Sequence, residues 1–106
     1  MTAQTPNPVL RTEYDDDADA LYVSSGDAGP SEGKRVRSGC IVLYPLNDPE
    51  HARGVIVLHF RENEWANEIG RLSRFIARIL RVDLNEALAA LRPYRTVIRV
   101  SGRRAA

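Results

Sequence analysis

The residues best placed for chemistry come early. Tyr14-Asp15-Asp16-Asp17-Ala18-Asp19 puts four carboxylates between positions 15 and 19. Asp15-x-Asp17-x-Asp19 has the alternating acids that open a calcium loop. Such a loop also needs Gly at its sixth position and Glu at its twelfth. Counted from Asp15, those positions hold Ala20 and Gly26. The flanks read as strands, not helices. The spacing therefore predicts a hairpin turn whose Asp side chains cap backbone amides. The turn is expected to set the register of Tyr14 against Tyr22. No metal or other cofactor is expected.

Other chemistry has thinner support. Cys40 stands at the head of an apolar run, where a cysteine is usually a small buried hydrophobe. Neither His51, in a loop, nor His59, in a strand, is fixed near it by the sequence. No nucleophile elbow is present. The Gly- and Ser-rich residues 25–33 lack the Gly-Lys-Ser/Thr ending of a phosphate loop. No catalytic residue is assigned and no enzymatic activity is expected.

Arginine is the remaining candidate. Arg71, Arg74, Arg78 and Arg81 recur at spacings of three, four and three and fall on one side of a helix. They form an anion- or nucleic-acid-binding stripe, with Arg92, Arg95, Arg99, Arg103 and Arg104 following. The stripe has no accompanying set of base-reading Asn or Gln. The chain as a whole is nearly neutral, at +1.

That near-neutrality hides a strong asymmetry. Residues 1–33 hold seven acids and one base, and residues 69–106 hold nine arginines and two acids. The two ends can pair with each other or with opposite partners. The 106 residues suit one domain with a modest aliphatic core, since only seven are aromatic. No apolar run approaches the ~20 residues of a membrane span, and residues 1–8 do not read as a secretory signal. A single cysteine fits a cytoplasmic setting.

Positioning these residues falls to a small set of elements. Residues 1–8, with Pro6 and Pro8, read as a flexible lead-in, residues 9–101 as the domain, and residues 102–106 as a flexible tail. Residues 9–14 and 20–24 read as strands around the acidic turn, and 25–33 as a loop. Residues 34–46 read as one extended region with a bend at Ser38-Gly39. After a hairpin, Val55-Ile56-Val57-Leu58-His59-Phe60 is the strongest strand, apolar on both faces. From Ile69 the period becomes helical: Leu72, Phe75, Ile76, Ile79 and Leu80 share one side. Asp83-x-x-Glu86 starts a second helix, which stops before Pro93. Residues 96–100 read as a last short strand.

At the acidic turn the chain resembles a known family. Tyr14-Asp15-x-x-Ala18-Asp19-x-Leu21-Tyr22-Val23, an apolar strand ending in Tyr44, and Gly54-Val55-Ile56-Val57 are similar to the small prokaryotic family called domain of unknown function 2283, over residues 10–62. The resemblance implies a short antiparallel β-meander followed by helical material. The family's activity is unassigned, and some members are similar to antitoxin partners of small toxins. The chain departs from the family at the longer hairpin 45–53, and at Ile56, where the family tends to carry an acid.

The expected fold is α+β: an antiparallel β-meander of three to four strands with two C-terminal helices on one face. The expected function is a non-enzymatic protein-interaction module, antitoxin-like or regulatory. It oligomerises with itself or a protein partner through the 55–60 strand, with Val55, Val57, His59 and Trp65 as contact residues. The alternative is nucleic-acid binding through the arginine stripe.

Overall fold

The computed structural model describes residues 10–26, 29–36 and 39–98. The lead-in 1–8, the tail 102–106, Ser38, and positions 99 and 100 of the expected last strand lie outside them. The described chain runs β1 (Arg11–Asp15), β2 (Ala20–Ser24), β3 (Ser31–Arg35), β4 (Cys40–Pro45), β5 (Gly54–Leu58), α1 (Ile69–Leu80) and α2 (Leu84–Leu91). Short 3-10 turns, Trp65–Glu68 and Arg92–Thr96, precede α1 and follow α2. The class is α+β, as expected.

Two points of the expected sheet are corrected. The described residues form five strands in the order β1-β2-β5-β4-β3, so the sheet is not a meander. Every pairing is antiparallel, but β5 returns to lie between β2 and β4. The extra strand is β3, taken from the sequence as part of a loop and part of a longer strand. Its residues Ser-Glu-Gly-Lys-Arg are almost all exposed because it is an edge strand beyond the helical cover. It shows no apolar alternation, the signal by which strands are read. The chain reverses between β3 and β4, which pair antiparallel. There the Val36 amide donates to the Cys40 carbonyl at 2.9 Å, and Gly39 adopts φ +74°, a left-handed geometry natural for glycine.

The expected strand at 96–100 is corrected as well over its described part, residues 96–98. Arg92–Thr96 winds into a 3-10 turn with Pro93 in its first positions. Proline's fixed φ suits the start of a helical turn and its missing N–H costs nothing there. The Tyr94 hydroxyl then donates to Thr12 Oγ1 at 2.8 Å, fastening this turn to β1.

The core lies between one face of the sheet and the helices. Leu21, Val23, Val42, Val55 and Val57 meet Phe60, Leu72, Ile76, Ala87 and Leu91 in one buried cluster. α1 forms as its 3.6-residue period dictates, with Leu72, Ile76 and Leu80 inward and Arg71, Arg74 and Arg78 outward. α2 is capped by Asp83, whose carboxylate accepts from the Asn85 amide at 3.0 Å.

Candidate protein-binding face

Pairing register decides which side chains share a face, because directly opposed residues point the same way. The second sheet face carries Tyr22 from β2, Ile41 and Leu43 from β4, and Ile56 and Leu58 from β5. Tyr22 is 39% exposed. The other four are half-buried, and none belongs to the core or packs against it. Leu43 and Ile41 lie low over two glycines. A β-carbon on Gly33 would come within 2.9 Å of Ile41 Cγ2, and one on Gly54 within 3.1 Å of Leu43 Cδ1. The glycines leave room for the aliphatic chains to lie low across the sheet.

One cross-strand row spans the whole sheet: Glu13, Tyr22, Ile56, Ile41, Arg35. Three apolar side chains stand in the middle, an acid at one edge and a base at the other. The next row reads Arg11, Ser24, Gly54, Leu43, Gly33. Glu13 and Arg35 are exposed and make no ion pair among the described residues. Charged residues also line both edge strands, which discourages strand addition at the edges. The face, not an edge, is the available surface.

The contact residues expected on β5 are placed differently. Val55 and Val57 are 0% exposed and belong to the core. β5 is the central strand, paired on both sides, so it offers no free edge. The residues of this strand that reach the surface are Ile56 and Leu58, one position out of phase. His59 lies just past the strand end, exposed, with φ +56°. Trp65 is 9% exposed in the core at the strand-to-helix junction. Its amide donates to the Phe60 carbonyl at 3.0 Å, so it anchors the fold rather than a partner.

Compared with protein-family models, with curated proteins and with solved structures, the chain finds no match.

The acidic turn has a structural task. Asp15 Oδ1 accepts from the Asp17 and Ala18 amides at 3.0 and 3.2 Å, the amide capping expected of such a turn. Asp19 does something the sequence did not suggest. Its Oδ1 accepts from the Tyr14 hydroxyl and the Arg61 amide, both at 2.7 Å, and its Oδ2 from the Glu62 amide at 3.0 Å. Its carbonyl accepts from the Phe60 amide at 3.0 Å. Asp16 adds an ion pair to the Arg61 guanidinium at 2.6 Å. The turn thus clamps the first hairpin to the chain leaving β5. Burial pushes the Tyr14 hydroxyl up, to about 12, helped by its hydrogen bond to Asp19 and that residue's charge. For Asp19 burial pulls upward, but the bonds from Tyr14, Arg61 and Glu62 outweigh it and hold the carboxyl below its ordinary value. The register also corrects one expectation: Tyr14 stands opposite Leu21, and Glu13 opposite Tyr22. Among the described residues no three His, Cys, Asp or Glu side chains converge to hold a metal ion.

Arg71, Arg74, Arg78 and Arg81 are all exposed, but they are not equivalent. Arg71 lies 3.6 Å from Glu68 and over the Trp65 ring at 5.8 Å. Arg81 sits one residue past α1 with φ +58°. There it lines, with Ser25, His51, Arg53 and Ile79, an open cleft of about 220 Å³. His51 pairs with Asp48 at 2.9 Å. Cys40 is buried in the core.

Proposed function

We propose that this chain is a protein-interaction module whose docking element is the open sheet face of Tyr22, Ile41, Leu43, Ile56 and Leu58. The observation that carries this reading is the row of apolar side chains across three central strands, outside the core and uncovered by either helix. Monomeric proteins seldom leave a contiguous apolar patch of this kind without using it. The family resemblance of residues 10–62, an antitoxin-like or regulatory role and a cytoplasmic location belong to the same proposal. No helix among the described residues is long and apolar enough to cross a membrane.

The test is to place lysine at Ile41 and Ile56 and to follow the methyl groups of the face with a soluble paramagnetic probe. The reading expects the methyls of dilute wild-type protein to be reached by the probe. It expects each substitution to change stability by no more than about 1 kcal/mol. Shielded methyls in a monomer, or unfolding of the lysine variants, would show the face to be part of an internal core.

A second reading is nucleic-acid binding through the exposed Arg74 and Arg78, which have no acidic partner among the described residues. It requires retardation of generic DNA or RNA in a gel that weakens steeply with salt. Loss of that shift in an Arg74→Ala/Arg78→Ala variant supports it, and no shift at low salt removes it.

A further inference from the structure

We infer that the occupant of the open sheet face is a second copy of the same chain, joined face to face about a two-fold axis running parallel to the strands. This rests on the docking-face reading and names its partner. The warrant is the charge order of the cross-strand row, Glu13, Tyr22, Ile56, Ile41, Arg35. A two-fold axis along the central strand reverses that order in the facing sheet. Glu13 of one copy then meets Arg35 of the other, at both ends of the row. Tyr22 meets Ile41, and Ile56 meets its own counterpart. In the next row Arg11 meets Gly33, so no like charges oppose.

The competing two-fold axis, across the strands, stacks Glu13 on Glu13 and Arg35 on Arg35. Like-charge opposition is costly, so the charges select one arrangement of the two. The chosen arrangement is isologous, the closed form that dimers adopt, and it keeps the strands of both sheets nearly aligned, as stacked sheets prefer. The low placement of Ile41 and Leu43 over Gly33 and Gly54 suits it, because two sheets about 10 Å apart leave room only for interdigitated side chains. Five strands by five residues give a footprint of roughly 400 Å² per copy at ordinary strand spacing. That is small beside the ~800 Å² per partner of a standard interface, so the dimer is a weak one, on the order of micromolar.

The experiment is sedimentation velocity of the full chain from about 1 μM to about 1 mM, combined with the methyl probe on the same samples. Wild type is expected to pass from monomer to dimer as the methyls become shielded. Glu13→Arg and Arg35→Glu alone should each weaken association about tenfold or more, and the double swap should return it to within about threefold of wild type. Both sites are exposed, so these variants keep the fold. A dimer indifferent to the swaps overturns the arrangement. A monomer at every concentration with methyls open to the probe overturns self-association and leaves the face for a different protein. A monomer with shielded methyls overturns both.

Discussion

Asp19 is the most informative single residue to change. Its carboxylate accepts three hydrogen bonds, from Tyr14 Oη, Arg61 N and Glu62 N, and its backbone sits at φ +53°. Bonds to an ionised acceptor contribute about 1.5–3 kcal/mol each. The carboxylate is only half-buried, so values just under the lower end apply, and losing all three costs about 4 kcal/mol. A left-handed backbone adds about 1 kcal/mol for alanine. Asp19→Ala should therefore lose about 5 kcal/mol, a large part of the ~5–15 kcal/mol holding a domain together. Asp19→Gly loses the same bonds without the backbone penalty, about 4 kcal/mol. Asp19→Asn tolerates the backbone and keeps one acceptor, so its loss is nearer 2 kcal/mol.

Urea unfolding followed by Trp65 fluorescence and by circular dichroism measures the series. The pH dependence supplies an independent check. Because the folded state holds the Asp19 carboxyl below its ordinary value, its contribution is complete above the unfolded value of about 4. It is lost as pH falls through the lower folded value. The gap between wild type and Asp19→Asn should close on acidification. An alanine variant within 1 kcal/mol of wild type, or a gap that does not narrow at low pH, would refute the clamp.

Three further changes test separate parts of the fold. Tyr14→Phe should cost about 1–2 kcal/mol near neutrality. It should also remove an alkaline destabilisation: Tyr14 titrates at about 12 when folded, so its stabilisation is full below about 10 and lost as pH climbs. Absorbance titration at 295 nm follows the phenolate. Ser73→Ala should raise stability by about 1 kcal/mol, because Ser73 Oγ is buried in α1 without a hydrogen-bond partner among the described residues; chemical denaturation decides. Arg81→Gly should raise the melting midpoint by the equivalent of about 0.5–1 kcal/mol. Arg81 holds the left-handed position after α1, where Val82 N donates to Ala77 O at 3.1 Å, a site where glycine has no Cβ penalty. A lowered midpoint would show that the arginine side chain stabilises the cleft it lines.

The helical half of the molecule was legible because its signals are local. The period of Leu72, Ile76 and Leu80, the Asp83 cap and the stop before Pro93 each act within one or two turns of chain. The α+β class followed, as did a hairpin at the acidic turn. β3 was not legible, because a polar edge strand buries nothing and shows no period. Thr96 to Ile98 have strand-like composition, but Pro93 commits the chain before them to a 3-10 turn that ends at Thr96.

The docking face shows the same division. The sequence determined that Val55 to Leu58 are apolar on both sides, and hence that one side must face something beyond the core. It did not determine which side. A strand's two faces are equivalent until a helix covers one, and α1 and α2 cover Val55 and Val57, leaving Ile56 and Leu58. The row from Glu13 to Arg35 is drawn from four separate pairings between residues as much as 34 positions apart. Asp19 likewise finds its donors at residues 61 and 62, across the return of β5 beside β2. Composition and spacing specify what a segment can bury or cap. Only register and strand order decide which distant groups it meets.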